Sequence, residues 1–191
     1  MITDKWKKRE ENHWYASAAD FALEHLGHGA GTCLVIGSPQ FELQMLESSG
    51  WDCTYLDIRE PPFRTLKFIK HDASKPLPFP DGSFNAVSST CVLCHVGTGR
   101  YGDDKVPDAD QRLLNEIYRV LAPAGRLAVM FGPVTNNSYE IKDHRLYNVQ
   151  DAIDMVEKAG LKVVHEQVFK THADDYLSIA AVKQIVATGN P

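Results

Sequence analysis

Strand-like and helix-like segments take turns along nearly the whole chain, which predicts an α/β fold: a doubly wound, mostly parallel seven-stranded sheet with helices on both faces. Two further observations shape that expectation. Several short apolar runs end at glycine or acid, as strands buried inside a parallel sheet do. The last two strand-like segments have no helix between them, so they are expected to pair antiparallel at one edge, giving an antiparallel last strand.

Taken in order, residues 14–26 carry apolar side chains at three-to-four spacing and read as a helix, stopped by Gly27 and Gly29. Residues 32–36 (TCLVI) form a buried strand ending at Gly37, and residues 41–48 a helix closed by Gly50. Residues 52–58 read as a second strand and 66–69 as a short third. Residues 84–89 form the fourth, entered through the Pro80-Asp81-Gly82 turn. Asp108 is placed to cap a strong helix, with Gln111 in capping-box position and Leu114, Ile117, Tyr118 and Leu121 on one face. Pro123-Ala124-Gly125 ends that helix before a fifth strand over 126–131. A helix over 149–159 closes at Gly160, and strands over 161–169 and 176–186 finish the pattern. No repeat or long linker interrupts it. Residues 1–191 therefore read as a single domain, with an N-terminal helical cap over 1–29 and a core over 30–191.

Composition narrows the functional classes. With 43% hydrophobic and 24% charged residues, the chain is not of the disordered type. A net charge of −5 without a basic run argues against nucleic acid as partner. The apolar stretches fall far short of the about 20 residues that span a membrane, and residues 1–14 lack the apolar core of a signal peptide. A soluble cytoplasmic protein acting on a small-molecule substrate is expected, with a homodimer left open. The four cysteines then read as reduced thiols, Cys33 and Cys53 as small buried hydrophobes.

In such sheets ligands sit outside the carboxyl ends of the strands, beside the first one. There Gly37-Ser38-Pro39 precedes a helix, where glycine lets a ligand approach the backbone. The full dinucleotide fingerprint would need two further glycines, at the places of Pro39 and Glu42. Asp57 ends the second strand at about the 20-residue offset of an acid that accepts from both ribose hydroxyls; a helix cap is the competing reading. After the third strand, Asp72 is able to accept from an adenine amino group, or to serve only as a loop acid.

Further residues carry a family resemblance. Phe84-Asn85-Ala86-Val87-Ser88-Ser89, Val92-Leu93-Cys94-His95-Val96 and the run Leu114-Asn115-Glu116-Ile117-Tyr118-Arg119-Val120-Leu121, closed by Ala122-Pro123-Ala124-Gly125, resemble the Rossmann-like S-adenosylmethionine-dependent methyltransferases. The resemblance covers roughly residues 30–186. A narrower likeness, to an uncharacterised methyltransferase-like group, rests on His95-Val-Gly-Thr-Gly-Arg-Tyr-Gly-Asp103 and His144-Arg145-Leu146-Tyr147. Two departures stand out: Val35 replaces the usual acid before the first glycine, and Ser38-Pro39 replaces the continuation of Gly-x-Gly. The resemblance implies S-adenosyl-L-methionine as cofactor, held by Gly37, Ser38, Pro39, Asp57, Ile58, Asp72, Ala73 and Thr90.

Methyl transfer to a hydroxyl needs positioning and a base. His95, Asp103 and His144 are the candidate catalytic residues; Arg100, Tyr101, Arg145 and Tyr147 are candidates for substrate binding. They point to O-methylation of a small polar or sugar-like acceptor. Packed histidines and a solvated Asp-Asp turn are the structural alternatives. A non-catalytic nucleotide- or partner-binding scaffold is the competing function. A nicotinamide-dependent oxidoreductase is disfavoured because the glycine fingerprint is missing. Cys91-Val-Leu-Cys94-His95 fits the C-x-x-C-H haem pattern, but haem attachment needs an exported chain. As a zinc site the cysteines lack a second close-spaced pair, and Asp103-Asp104 lacks a third spaced ligand, so no metal is expected.

Overall fold

The computed structural model describes residues 13–29, 31–38, 40–65, 67–170 and 174–185, with side chains from residue 16 onward. The elements run α1 (His13–Leu26), β1 (Thr32–Ile36), α2 (Gln40–Ser48), β2 (Asp52–Asp57), β3 (Phe68–Lys70), β4 (Phe84–Thr90), α3 (Ala109–Val120) and β5 (Leu121–Pro133). Then come β6 (Tyr139–Ile141), β7 (His144–Leu146), α4 (Val149–Lys158), β8 (Leu161–Lys170) and β9 (Asp175–Lys183).

Seven strands form one sheet in the order β3-β2-β1-β4-β5-β9-β8. β1 pairs parallel with β2 on one side and with β4 on the other, so the order reverses at β1. β9 runs antiparallel between β5 and β8. This is the sheet of the Rossmann-like methyltransferase fold. It leaves the carboxyl ends of β1, β2 and β4 side by side, where a ligand crevice forms.

The side-chain alternation of β1 divides the core. Cys33 and Val35 face α1 and α2, packing with Phe21, Ala22, Leu26, Leu43 and Leu46. Leu34 and Ile36 face the other way, among Leu113, Leu114 and Ile117 of α3 and Ala152 and Val156 of α4. Both sets are nearly solvent-free, which is why β1 reads as a continuous apolar run.

Four features differ from the sequence reading. Asp108 does not cap α3 through its side chain: its φ of +56° is left-handed, whereas a capping residue needs an extended backbone. Gln111 bonds instead to Asn115 and to the Met155 carbonyl, tying α3 to α4. The Pro123-Ala124-Gly125 turn lies inside β5 rather than before it, as an irregularity with Ala124 at φ +61°. Residues 139–146 form the β6–β7 hairpin, turned at Lys142 with φ +50°. Strands of three residues are too short to show alternation. The expected third strand starts two residues later than predicted, at Phe68, and Leu66 lies outside the described residues.

Candidate functional site

Two adjoining hollows open at the carboxyl ends of the central strands, enclosing about 530 and about 930 Å³ of space continuous with solvent. They share Gly37, Asp57, Arg59, Cys91, His95 and Tyr101 along their walls.

Gly37 closes β1 with φ +59°, and a Cβ there would stand 2.6 Å from Val92 Cγ2. Both conditions call for glycine. Its amide donates to the Leu56 carbonyl at 2.8 Å, fixing the turn against β2. Ser38 is buried, and its Oγ accepts from the Thr90 amide at 3.0 Å, so it draws inward rather than filling the hollow. Pro39 lies outside the described residues. Asp57, also buried, ends β2 facing the same space. Its Oδ1 accepts from the Arg59 amide at 2.8 Å and its Oδ2 from the Tyr55 hydroxyl at 3.2 Å. A carboxylate has about four acceptor sites, so capacity for a diol remains. Burial first, then the neighbouring Asp57 charge, pushes the Tyr55 phenol well above its ordinary value, so it stays protonated and able to donate to Asp57. Ile58, Asp72 and Ala73 line the smaller hollow; Asp72 turns one oxygen to the Ser74 amide at 2.9 Å.

One residue at this edge escaped the sequence reading as a working group. Glu42, in the first turn of α2, is buried, and its carboxylate accepts hydrogen bonds from the Ser88 and Thr90 hydroxyls, Thr90 Oγ1 at 2.6 Å. Burial raises its pKa, and the hydroxyls of Ser88, Thr90 and Ser38 oppose that rise. Glu42 thereby braces Ser38 and Thr90, two walls of the larger hollow. The signal was available: a charged residue where the apolar face of an amphipathic helix should be.

On the other side, His95 lies between the rings of Tyr101 and His144, at centroid distances of 5.7 and 4.4 Å, with Nδ1 3.2 Å from the Asp143 carbonyl. Burial pulls its pKa down, but the Cys94 sulfur and that carbonyl outweigh it, and the net direction is upward. Tyr101 reaches over the mouth, with the Arg59 guanidinium 4.2 Å from its ring centroid.

The remaining candidates are committed elsewhere. Asp103 borders the smaller hollow, but its carboxylate accepts from the Gly99 and Tyr101 amides at 3.2 and 3.0 Å, shaping the loop. Arg100 pairs with Asp143 at 3.1 Å. Arg145 and Tyr147, expected at the substrate, lie buried and away from both hollows. Arg145 donates to the Val96 carbonyl at 2.6 Å and faces Glu140 and Asp110 at 3.2 and 3.8 Å. The Tyr147 hydroxyl donates to the Leu93 carbonyl, 3.0 Å away, and lies 3.1 Å from Asp110. The segment after β4 has no regular partner for its carbonyls, and these two side chains supply one. His144 does stand beside His95, behind it as seen from the hollows.

Cys91, at φ +55°, and Cys94 approach each other just under His95. The Cys91 thiol contacts Cys94 and, against the effect of burial, draws it below the ordinary thiol pKa, with His144 and His95 adding to the effect.

Comparison with known proteins bears on this arrangement. Residues 36–129, about half of the chain, match the family model described as Methyltransferase domain. A stretch of 68 residues is 41% identical to demethylmenaquinone methyltransferase of Thermus thermophilus, covering 36% of this chain and 26% of that protein. The chain thus spans only about a quarter of that relative's length. Among solved structures, the Burkholderia thailandensis 1,6-didemethyltoxoflavin-N1-methyltransferase, with bound 1,6-didemethyltoxoflavin and S-adenosylhomocysteine, superposes with a TM-score of 0.75 at 18% identity, covering 93% of this chain and 84% of that one. N-methyltransferase NodS of Bradyrhizobium japonicum, in complex with S-adenosylhomocysteine, gives 0.62 at 14% identity over 91% and 87%. At these identities the likeness is one of fold.

Proposed function

From the methyltransferase domain over residues 36–129 we infer that this chain is an S-adenosylmethionine-dependent methyltransferase, and that it O-methylates a small polar or sugar-like acceptor. The family match and the neighbours holding S-adenosylhomocysteine support the cofactor. The observation that carries the reading is the pairing of Gly37 and Asp57 across one hollow, a turn that admits a ligand facing a buried carboxylate with acceptor sites to spare.

The residues fit the group. The Gly37 turn borders both hollows, Asp57 would hold the ribose hydroxyls, Ile58, Asp72 and Ala73 would border the adenine, and Ser38 and Thr90 the amino-acid end. When bound, the cofactor supplies a methyl group on a positively charged sulfur. His95, at the junction of the two hollows, would take the proton from an acceptor hydroxyl as the oxygen–carbon bond forms. Tyr101 and Arg59 would cover the acceptor and exclude water.

Calorimetric titration with S-adenosylmethionine, S-adenosylhomocysteine and NAD tests the reading. Binding of the two sulfur ligands and not NAD is expected, weakened about tenfold or more in Asp57→Ala by loss of charge-assisted hydrogen bonds. His95→Gln should retain S-adenosylhomocysteine affinity and lose turnover. Absence of binding by either sulfur ligand would sink the enzyme reading in favour of a partner-binding scaffold.

A further inference from the structure

The zinc reading of Cys91 and Cys94 lacked further ligands in the sequence, and the fold brings one to Cys94 from a distant segment. β7 begins at His144, which packs against His95, bringing two imidazoles to the Cys94 thiol. We propose that Cys94, His95 and His144 bind a thiophilic divalent metal ion of the zinc type.

The geometry carries this. One donor atom from each of Cys94, His95 and His144 lies within 4.8 Å of the others. Atoms held tetrahedrally at about 2.0–2.3 Å from zinc stand roughly 3.3–3.8 Å apart, so small side-chain rotations close the set. His144 Nε2 is buried without a hydrogen-bonding partner, an arrangement that proteins rarely leave unless something else occupies the atom. A Cβ at Gly132 of β5 would come within 3.0 Å of His144 Nε2 and 3.1 Å of Cys94 Sγ, so that glycine keeps the space between sulfur and imidazole clear. The contact of His95 Nδ1 with the Asp143 carbonyl is the kind that orients a metal-bound imidazole through its other nitrogen. A thiol with two imidazoles suits zinc or cobalt and disfavours magnesium or calcium.

The inference does not rest on methyl transfer, and an ion bound here would withdraw His95 from the base role, since one ring nitrogen would hold the metal and the other faces the Asp143 carbonyl; its test reads the metal directly. Cobalt(II) added to the reduced full chain should give thiolate-to-cobalt charge-transfer absorption and the visible bands of a tetrahedral ion, at one ion per chain, and zinc should bleach them. His144→Gln and Cys94→Ser should each weaken binding more than about 100-fold, while far-ultraviolet dichroism reports whether each variant is folded. The control is Cys53→Ser, because Cys53 sits beside Cys33 in the β1–β2 register and forms the other close thiol pair. Its bands should be unchanged. Loss of the bands in Cys53→Ser with retention in His144→Gln would overturn the proposal, as would their absence from the wild-type chain. Should Cys94→Ser not fold, His144→Gln decides alone.

Discussion

The two halves of the candidate site are built differently. At the ends of β1 and β2, the working groups belong to strands or lie one residue beyond them, and sheet register fixes where they point: Ile36 pairs with Leu56, so Gly37 and Asp57 necessarily face each other. Beyond β4 and β5, the residues lie on loops and a small hairpin, where backbone groups have no ladder to satisfy them. There Arg145, Tyr147, Asp103 and Thr98 spend their polar atoms on the chain itself. Polar side chains near a site are thus recruited to hold an irregular backbone before they are available to a ligand.

The sharpest way to break that contrast is Arg145→Ala. It strands the Val96 carbonyl and the Asp110 carboxylate in a buried place, so a loss of about 3 kcal/mol in urea unfolding is expected. A variant that loses turnover at unchanged stability would instead return Arg145 to the substrate. Next, Gly37→Ala forces a left-handed backbone and a clash with Val92. It should destabilise by about 2 kcal/mol and reduce S-adenosylhomocysteine affinity together, read by unfolding and calorimetry. Glu42→Gln probes the brace behind the hollow. A raised native pKa contributes stability that is full below the ordinary carboxylate value and is lost as pH rises through the native one. The variant should therefore match wild type in acid and gain on it toward neutral pH, in melting curves taken across pH. The smallest effect belongs to Tyr101→Ala, which removes exposed cation–π contacts with Arg59 and, more distantly, Arg100, worth about 0.5–1 kcal/mol for the nearer one. It should barely move the melting temperature while raising the acceptor's KM.

The same contrast explains what was legible in advance. Apolar runs such as TCLVI marked β1, β4 and β5, whose residues are mostly buried on both faces, whereas the more exposed β3 and β8 followed from the alternation of segments. Gly37 and Asp57 were placed from strand ends and His95 from the family resemblance, and all three line the hollows. Arg145 and Tyr147 bond to Val96 and Leu93 away from the hollows, and residue type alone does not tell such a bond from a ligand contact. The approach of His144 to Cys94 had no local signal: it depends on how β7 folds back across β5. Asp108 failed as a cap for a conformational reason, its left-handed backbone, that composition does not encode.

The position of β9 has a consequence for how the chain is made. It follows β8 in sequence yet lies between β5 and β8 in space. While the ribosome is still extending the chain through β8, no hydrogen-bonding neighbour exists for that strand, and β5 presents a bare margin on its outer side. A sheet of β3-β2-β1-β4-β5 alone keeps that margin open until β9 pairs with it. Without β9 the outer margin of β5 is open to pairing with another chain, and β9 covers it while giving β8 its only sheet neighbour among the described residues.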